Sequence, residues 1–397
     1  MPTDTPTPDN RYDALIVGAR VAGAATAMLL ARQGLRVLAI DRDGYGSDTF
    51  STHALMRGAV DSLERWGIAP SLRAQVPDIE VTTFHYGDKT VALDNTGEGT
   101  KSPLMAPRRT LLDRTLVDAA RDAGAHVLHR TRLISLAIDP SGRTTGATIE
   151  TADGARRAVS AGIVIGADGL NSTVARLLDV PITRRGTAAA PFVTNYVQGL
   201  DLPRDTFQWL YGEQIGGGFI PTGDDQFVVF AGCAPERFTS EIRHDTEAGF
   251  HRILDELNPE FAEVTRAATP ISNHRAWPGR PGQYRKAFGP GWALVGDAGY
   301  FKDPWAAHGI SDSLRDAELL AEGVITGDLA DYERTRDEVS TPLFEALEKI
   351  SSYDWTLEEL PAFHLALGRA MAHEHRDLKR RREAREGISL GELTLVA

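Results

Sequence analysis

Short apolar runs separated by glycine-containing turns mark the start of the chain. Residues 12–17 are mostly apolar, residues 18–23 (GARVAG) predict a turn, and residues 24–34 predict an alanine-rich helix that ends at a glycine. A second apolar run over residues 35–40 ends at Asp41. The order strand, helix, strand predicts a βαβ unit, whose right-handed crossover places both strands in a parallel sheet.

Further elements follow the same alternation of strands and helices. Residues 53–67 predict a helix, and the alternating residues 79–93 predict a hairpin. An amphipathic helix that ends at Gly124 is predicted from its apolar positions Leu112, Leu116, Val117 and Ala120. Residues 308–326 and 329–350 predict two long helices.

Residues 187–276 differ in character, because they combine short strands with many aromatic side chains and one helix. This pattern predicts a second domain with a mostly antiparallel sheet. Alternating strand positions share a face, so part of the aromatic set lies on one side of the sheet. Such a face suits an aromatic or polyketide-like substrate, and an ordinary core is the alternative. The aromatic residues are Phe192, Tyr196, Phe207, Trp209, Tyr211, Phe219, Phe227 and Phe230.

Composition narrows the classes of partner. The chain has 43 Lys and Arg against 55 Asp and Glu, a net charge of −12, and this acidic balance repels nucleic acid. Cys233 is the single cysteine, which excludes an internal disulfide or a thiolate zinc cluster and predicts a reducing, cytoplasmic location. His373 and His375 are two residues apart and therefore point to different helix faces, so no metal site is predicted.

Targeting and membrane signals are not evident in the chain. The first ten residues, MPTDTPTPDN, are polar and rich in proline, and they predict a disordered tail over residues 1–10 rather than a signal peptide. No apolar run approaches the roughly 18 residues that a membrane helix needs, so no membrane span is expected. A small organic molecule is the expected partner, and the sequence leaves the oligomeric state open.

The first candidate site is the turn between the first strand and the first helix. Gly18 permits a tight turn, Gly23 lets the helix approach the sheet, and the free N–H groups of the helix start can bind a pyrophosphate. Asp41 follows 23 residues after Gly18, where a carboxylate can hold ribose hydroxyls. Arg20 occupies the position of the middle glycine and departs from the usual pattern.

Two further motifs follow in order along the chain. Residues 164–176 (VIGADGLNSTVAR) follow a strand and contain Asp168-Gly169. Residues 296–300 (GDAGY) follow the apolar run WALV, and residues 303–310 (DPWAAHGI) lead into a long helix.

On these three motifs, the sequence resembles the FAD-dependent monooxygenase superfamily with the para-hydroxybenzoate hydroxylase fold. The group includes aromatic hydroxylases, geranylgeranyl reductases and flavin-dependent halogenases, and the resemblance covers roughly residues 12–340. It implies an α/β fold, in which a Rossmann-like FAD-binding domain carries an inserted, mostly antiparallel substrate domain and C-terminal helices.

The resemblance also implies the domain boundaries. The FAD-binding domain is expected to comprise residues 11–78, 103–186 and 277–340. The substrate domain is expected to comprise residues 79–102 and 187–276. Residues 341–397 are expected to form C-terminal helices.

The resemblance further implies cofactor contacts, with FAD as the bound cofactor and NAD(P)H as a transient reductant. Arg42 resembles the arginine beside the adenosine, and Arg109 the arginine that reaches the FAD phosphates, with Arg108 as the competing choice. Asp297 is expected near the ribityl or pyrophosphate, and the helix start after His308 near the N1–C2=O edge of the flavin. The full predicted set is Gly18, Ala19, Ala22, Gly23, Asp41, Arg42, Arg109, Asp168, Gly169, Gly296, Asp297, Gly309 and Ile310.

Two residues are candidates for catalysis. The loop over residues 47–53 (SDTFSTH) corresponds by family position to a segment beside the isoalloxazine, where His53 could relay protons because its ordinary pKa is about 6.5. A hydrogen-bonded structural histidine is the alternative. Lys302 could bring positive charge to the reduced flavin, with a surface salt bridge as the alternative.

The expected activity is therefore a flavin-dependent monooxygenase that hydroxylates or epoxidises an aromatic or polyketide-like molecule. A halogenase is one alternative, although the W-x-W-x-I-P element of that group is reduced to Ile220-Pro221 in the stretch 217–221. An isoprenoid-type reductase is a second alternative, and a flavin-binding protein without turnover is a third.

Overall fold

The computed structural model describes residues 10–96 and 103–388. The tail predicted over residues 1–10 lies outside the described residues except for Asn10, and so does the end of the segment 79–102 that was assigned to the second domain.

The described residues form nineteen strands. The strands are β1 (Arg11–Val17), β2 (Val37–Ile40), β3 (Val81–Tyr86), β4 (Lys89–Asp94), β5 (His126–Leu128), β6 (Arg132–Ile138), β7 (Thr144–Glu150), β8 (Arg156–Gly166), β9 (Ile182–Arg185), β10 (Phe192–Gln198), β11 (Thr206–Gly212), β12 (Ile215–Pro221), β13 (Gln226–Cys233), β14 (Thr269–Pro270), β15 (Arg275–Trp277), β16 (Gln283–Arg285), β17 (Phe288–Gly289), β18 (Trp292–Leu294) and β19 (Tyr300–Phe301).

The helices occupy the stretches between these strands and the C-terminal part of the chain. They are α1 (Val21–Arg32), α2 (Arg57–Arg65), α3 (Ala69–Arg73), α4 (Arg109–Asp122), α5 (Thr173–Leu177), α6 (Pro235–Arg237), α7 (Thr246–Leu257), α8 (Pro259–Ala267), α9 (Gly309–Thr326), α10 (Leu329–Ser351) and α11 (Leu360–Ile388).

The first sheet has the strand order β17-β18-β8-β1-β2-β5. Strands β18, β8, β1, β2 and β5 are parallel to one another, as the βαβ pattern predicts, whereas β17 is antiparallel to β18. Strands β6 and β7 extend β8 as an antiparallel meander. The α/β fold class predicted from the sequence is thereby confirmed.

Helix α1 lies at the centre of the core on one face of this sheet. Ten of its residues are buried, and it packs against both α4 and α9. Its small side chains allow this close approach on several sides. A Cβ added at Gly23 would lie 1.8 Å from the carbonyl oxygen of Gly18, so the start of α1 requires glycine for steric reasons.

The second sheet has the strand order β14-β10-β13-β12-β11-β3-β4, with β15 also paired to β10. Most of its pairs are antiparallel, but β11 joins β3 in parallel over Thr206–Tyr211 and Val81–Tyr86. The hairpin predicted at residues 79–93 is present as β3 and β4. Its parallel connection to a strand more than a hundred residues later has no local sequence signal.

Different helices pack against the two faces of the second sheet. Helices α7 and α8 bury a mostly aliphatic face, around Val193, Leu210 and Ile253. The aromatic face packs towards α10 and α11, with Trp209, Tyr211 and other rings in its core.

The helix predicted over residues 53–67 is wrong in its first turn. Helix α2 begins only at Arg57, and Leu55 instead bridges to Met105 as extended backbone. The reason is His53, whose φ of +65° is left-handed and incompatible with a right-handed helix.

Of the helices in the described stretches, none is both long and apolar enough to cross a bilayer.

Replacing Gly23 by alanine tests the contact at the start of α1. Because the added Cβ meets backbone rather than a movable side chain, we expect Gly23→Ala to lower the free energy of unfolding by about 1–3 kcal/mol. Gly58→Ala is the matched control, because no described atom lies within 4 Å of a Cβ there. It should raise stability by up to about 1 kcal/mol through helix propensity. Urea unfolding followed by circular dichroism compares the two, and equal midpoints would contradict the prediction.

Candidate functional site

The turn between β1 and α1 presents free backbone donors. Gly18 has a φ of +102°, and its N–H donates to the carbonyl of Ile40 at 2.7 Å. Helix α1 then begins at Val21, and within the described part of the chain no side chain caps it. The N–H groups of a first helical turn have no partner within the helix. The predicted residues Ala19, Ala22 and Gly23 therefore surround an anion-binding helix start.

Asp41 lies directly beside this turn. Its Oδ2 accepts the N–H of Ala19 at 2.8 Å, and its Oδ1 accepts the N–H of Asp43 at 2.8 Å. Arg42 instead points outward, with 77% of its side chain exposed and its guanidinium 3.9 Å from Asp43. The structure thus brings Asp41 to the turn but leaves Arg42 at the surface.

Arg20 is a residue whose role the sequence did not reveal. Its guanidinium bonds Asp113 at 3.1 Å, Asp43 at 3.2 Å, and both the carbonyl and the hydroxyl of Ser47. Arg109 binds the same Asp113 through two hydrogen bonds of 2.9 and 3.1 Å. Both arginines therefore lie together beside the turn. The only sequence signal was an arginine where the motif expects glycine.

The turn after β18, which contains the predicted residue Asp297, packs on α1. A Cβ added at Gly296 would lie 2.8 Å from the Cβ of Ala22. Burial raises the pKa of Asp297 to about 6, while the charges of Arg109 and Lys302 oppose the rise. The charges of two other predicted site residues, Arg109 and Lys302, therefore act on Asp297.

Asp168 and Gly169 follow β8, and the backbone N–H of Asp168 lies next to Gly18. The Oδ2 of Asp168 accepts the N–H groups of Thr173 and Val174 at 2.6 and 3.2 Å, which fixes the start of α5. Its Oδ1 is buried and has no hydrogen-bond partner among the residues described. Burial raises the pKa of this carboxyl.

The start of α9 is a second open helix N-terminus. His308 precedes the helix without a capping hydrogen bond from its side chain. No described atom lies within 4 Å of the place where a Cβ of Gly309 would stand. Because α9 packs against α1, the predicted pair Gly309 and Ile310 belongs to the same side of the first domain as the β1–α1 turn.

A buried charge cluster lies behind this helix start. Its members are between 0 and 6% exposed: Lys302, His308, Asp312, Arg315, Asp316 and Glu374. Lys302 is in direct contact with Asp312, and Arg315 bonds Asp312 and Glu374 at 2.8 Å each. Burial, together with the charge of Arg315, lowers the pKa of Lys302 to about 7.

Three members of the cluster have metal-ligating side chains. Potential ligand atoms of His308, Asp312 and Glu374 lie within 4.8 Å of one another. Lys302 and Arg315 already bind these two carboxylates, so the negative charge that would attract a cation is largely neutralised. Glu374 comes from α11 and was not recognised as a site residue from the sequence.

The loop over residues 47–53 ends in a fully buried histidine. The Nε2 of His53 shares a hydrogen bond with the Tyr196 hydroxyl, and its Nδ1 has no partner in the described part of the chain. Burial, and then the charges of Arg109, Arg108 and Arg275, hold the pKa of His53 well below its ordinary value. His53 is therefore neutral at physiological pH.

Arg108 lies beside His53 and Tyr196 rather than beside the β1–α1 turn. Its guanidinium lies 3.9 Å from the ring centre of Tyr196 and bonds Asp48 at 3.2 Å. Of the two neighbouring arginines, Arg109 is thus the one that reaches Arg20 and Asp113.

An aromatic surface connects the loop with the second sheet. Phe50 lies 5.4 Å from Phe192 and 6.0 Å from Trp277, measured between ring centres. Trp305, which precedes α9, lies 5.9 Å from Phe192 and 5.8 Å from Phe230. The aromatic rings therefore meet where the loop over residues 47–53, the second sheet and the segment before α9 come together.

These features fit a dinucleotide with a flavin. Two open helix starts, at α1 and α9, can stabilise negative charge on phosphates and on a flavin ring. Asp41, at the end of β2, offers carboxylate oxygens for ribose hydroxyls. The residues that would hold FAD are accordingly present around the first sheet and helices α1 and α9.

Comparisons with known proteins agree with this fit. The chain is 26% identical over 361 residues to digeranylgeranylglycerophospholipid reductase 1 of Methanococcoides burtonii, covering 86% of this chain and 79% of the relative. The solved structure of the flavin-dependent brominase Bmp2 superposes with a TM-score of 0.77 at 17% identity, over 94% of this chain and all of that one. PqsL of Pseudomonas aeruginosa, described as a probable FAD-dependent monooxygenase, superposes with a TM-score of 0.73 at 20% identity, over 89% and 99% of the two chains.

The structural likenesses establish a shared fold. The family model described as "FAD binding domain" matches residues 11–328, which include the β1–α1 turn, the turn after β18 and the start of α9. The chain belongs to this family, binds FAD, and is a flavin-dependent oxidoreductase.

Proposed function

We propose that this protein is an FAD-dependent monooxygenase. It takes electrons from NAD(P)H, a transient reductant, and transfers one atom of O₂ to an aromatic or polyketide-like molecule by hydroxylation or epoxidation. The observation that carries the proposal is the unpartnered, fully buried Nδ1 of His53, because His53 ends the loop that contains Phe50 and its other ring nitrogen is held by Tyr196 of the second sheet.

FAD, when bound, supplies the electron transfer and the activation of oxygen. The chain's own part is to bind and orient it. The helix start at α1 and Asp41 would hold the pyrophosphate and the ribose. The helix start at α9, with Lys302 behind it, would stabilise the negative charge of the reduced flavin ring.

The proposed class of substrate is supported by the aromatic rings around Phe50. Phe50, Phe192 and Trp305 come from three different elements, and Phe192 and Trp305 are almost completely buried. Flat rings pack well on such surfaces through offset and edge contacts. A largely apolar surrounding also excludes water, which protects reactive species from hydrolysis.

His53 and Tyr196 form the proton relay in this proposal. A neutral imidazole with one bonded and one open nitrogen can accept a proton on one side while it stays oriented by the other. The left-handed backbone at His53 supports a functional role, because such strain persists where the surrounding structure enforces it.

A reductase acting on isoprenoid-type double bonds is the second candidate. The similarity to digeranylgeranylglycerophospholipid reductase over 86% of the chain favours it. Such an enzyme would need reduced flavin but no oxygen. The brominase likeness is one of fold alone, and the Ile-Pro pair of β12 lacks the tryptophans of the halogenase element.

Oxygen dependence separates these candidates. The FAD-loaded protein is supplied with NAD(P)H and a panel of aromatic, polycyclic and isoprenoid compounds, under air and anaerobically. We expect NAD(P)H oxidation to rise with the true substrate, and the product to gain one ¹⁸O atom from ¹⁸O₂, independently of chloride or bromide. A product saturated at a double bond without oxygen would establish the reductase, and a halide-dependent mass shift would establish the halogenase.

Asp41→Ala tests the ribose contact. Loss of a charge-assisted hydrogen bond in a desolvated site costs about 1.5–3 kcal/mol, so we expect FAD to bind about 10- to 100-fold more weakly. Asp88→Ala, in the exposed turn between β3 and β4, is the control and should bind FAD normally. Fluorescence titration of the apoprotein measures both, and unchanged affinity of Asp41→Ala would remove Asp41 from the site.

His53→Ala tests the proton relay. Since positioned acid–base groups contribute about 10²-fold or more, we expect turnover to fall by at least about that factor while FAD content stays close to the wild type. His244→Ala, at an exposed position, should leave both unchanged. Full activity of His53→Ala would exclude the relay without affecting the FAD assignment.

A further inference from the structure

A groove of about 820 Å³ lies between β9 and the helices α10 and α11, and we name it the α10–α11 groove. Its volume falls in the range of about 300–1,000 Å³ that is usual for small-molecule sites. Both helices begin after residue 328, where the match to the family model ends. The groove shares no residue with the FAD site described above, so its ligand would be a different molecule.

One wall of the α10–α11 groove is apolar. Phe363, Ala366 and Ala370 line it from α11, and their spacing of three and four residues places them on one helix face. Phe344 of α10 lines the groove as well; it is 2% exposed and packs against Tyr284 at 5.2 Å between ring centres. The two small alanine side chains leave space between the rings, so an apolar body can lie against this wall.

The two carboxylates of the α10–α11 groove already have partners. Glu345 pairs with Arg184 at 2.9 Å. The Oε2 of Glu348 accepts the backbone N–H groups of Thr187 and Ala188 at 2.6 and 3.2 Å. Backbone donors around a carboxylate offset its negative charge. The acidic side chains of the groove are therefore bound to its own wall.

Three cations of the same groove lack an acidic partner among the described residues. They are Arg185 of β9, Lys349 of α10 and Arg369 of α11, and the ammonium of Lys349 lies 5.7 Å from the ring centre of Phe363. In a chain with a net charge of −12, such a group creates a local positive potential that attracts anions. Guanidinium groups bind carboxylates and phosphates through paired hydrogen bonds.

We propose that the α10–α11 groove binds an amphipathic anion, a molecule with an apolar body and a carboxylate or phosphate head. The head lies between Arg185, Lys349 and Arg369. The apolar body packs against Phe363 and Ala366. Each half of the groove matches one half of such a ligand, and this complementarity of charge and surface is what distinguishes it from an ordinary surface depression.

The test is isothermal titration of the FAD-loaded protein with four probes, each below its micelle concentration: decanoate, decyl phosphate, decanol and inorganic phosphate. We expect the two amphipathic anions to bind with one molecule per chain, and the tighter of them identifies the head group. Decanol and inorganic phosphate each lack one half of the contacts and should bind at least about tenfold more weakly. Absence of binding by both amphipathic anions up to about 1 mM, or equal binding of decanol, would overturn the proposal.

Arg185→Gln and Arg369→Gln test the cationic half of the groove. Each removes a charge-assisted contact, so we expect the tighter anion to bind at least about tenfold more weakly. Arg380→Gln is the matched control, because it lies on α11 outside the groove with 76% of its side chain exposed. An equal loss in Arg380→Gln would show an effect of net charge alone and would contradict the proposed site.

Ala366→Trp tests the apolar half without removing a cation. Ala366 is exposed on α11, so the variant should fold and retain FAD, and the added indole should fill the groove and abolish binding. Ala372→Trp, at an exposed position of the same helix outside the groove, should bind as the wild type does. Unchanged binding in Ala366→Trp would place the anion elsewhere and overturn the proposal.

Sedimentation velocity at two protein concentrations tests a second copy of the chain as the alternative occupant. A dimer that Ala366→Trp dissociates would assign the groove to that second copy and overturn the proposal. The FAD content and the oxygen assay are independent of these outcomes, since no groove residue belongs to the FAD site. A wild type without oxygen transfer that still binds the amphipathic anion would therefore overturn the monooxygenase and keep this inference.

Discussion

The backbone contact between the β1–α1 turn and the sheet is the constraint on which the site depends. Gly18 lies against the carbonyl of Ala167, and Gly23 lies against Gly18, so α1 starts directly above the ends of the strands. The turn at Gly296 and helix α9 both pack against α1. One steric requirement therefore sets the positions of two open helix starts, and with them the place where negative charge is stabilised.

The buried charge cluster, unlike the glycine contacts, contributes little to the stability of the fold. Each of its ions loses hydration, and a buried ion pair is a weak source of stability because that loss offsets the attraction. The cluster persists because most of its charges are shared: Asp312 contacts Lys302 and Arg315, and Arg315 also holds Asp316 and Glu374. Such an arrangement contributes more to the orientation of groups behind α9 than to the free energy of folding.

The sequence predicted what is encoded locally. The strand, turn and helix around Gly18 and the hairpin at β3 and β4 follow from short-range patterns, and the structure agrees with both. Contacts between distant residues were not predictable in this way. Arg20 meets Asp113 across 93 positions, and Arg315 meets Glu374 across 59. Charged residues on a helix usually face solvent, so nothing in the α11 sequence distinguishes Glu374 from its exposed neighbours.

The pairing of distant strands also has a consequence for how the chain is made. On one side, β1 is completed only by β8, and β3 is completed only by β11. During synthesis, both early strands therefore wait with an open edge until much later segments leave the ribosome. Folding dominated by such non-local pairs is slow, and open edges invite aggregation. The strands of the two large sheets interleave along the chain, so neither sheet is formed by one contiguous segment.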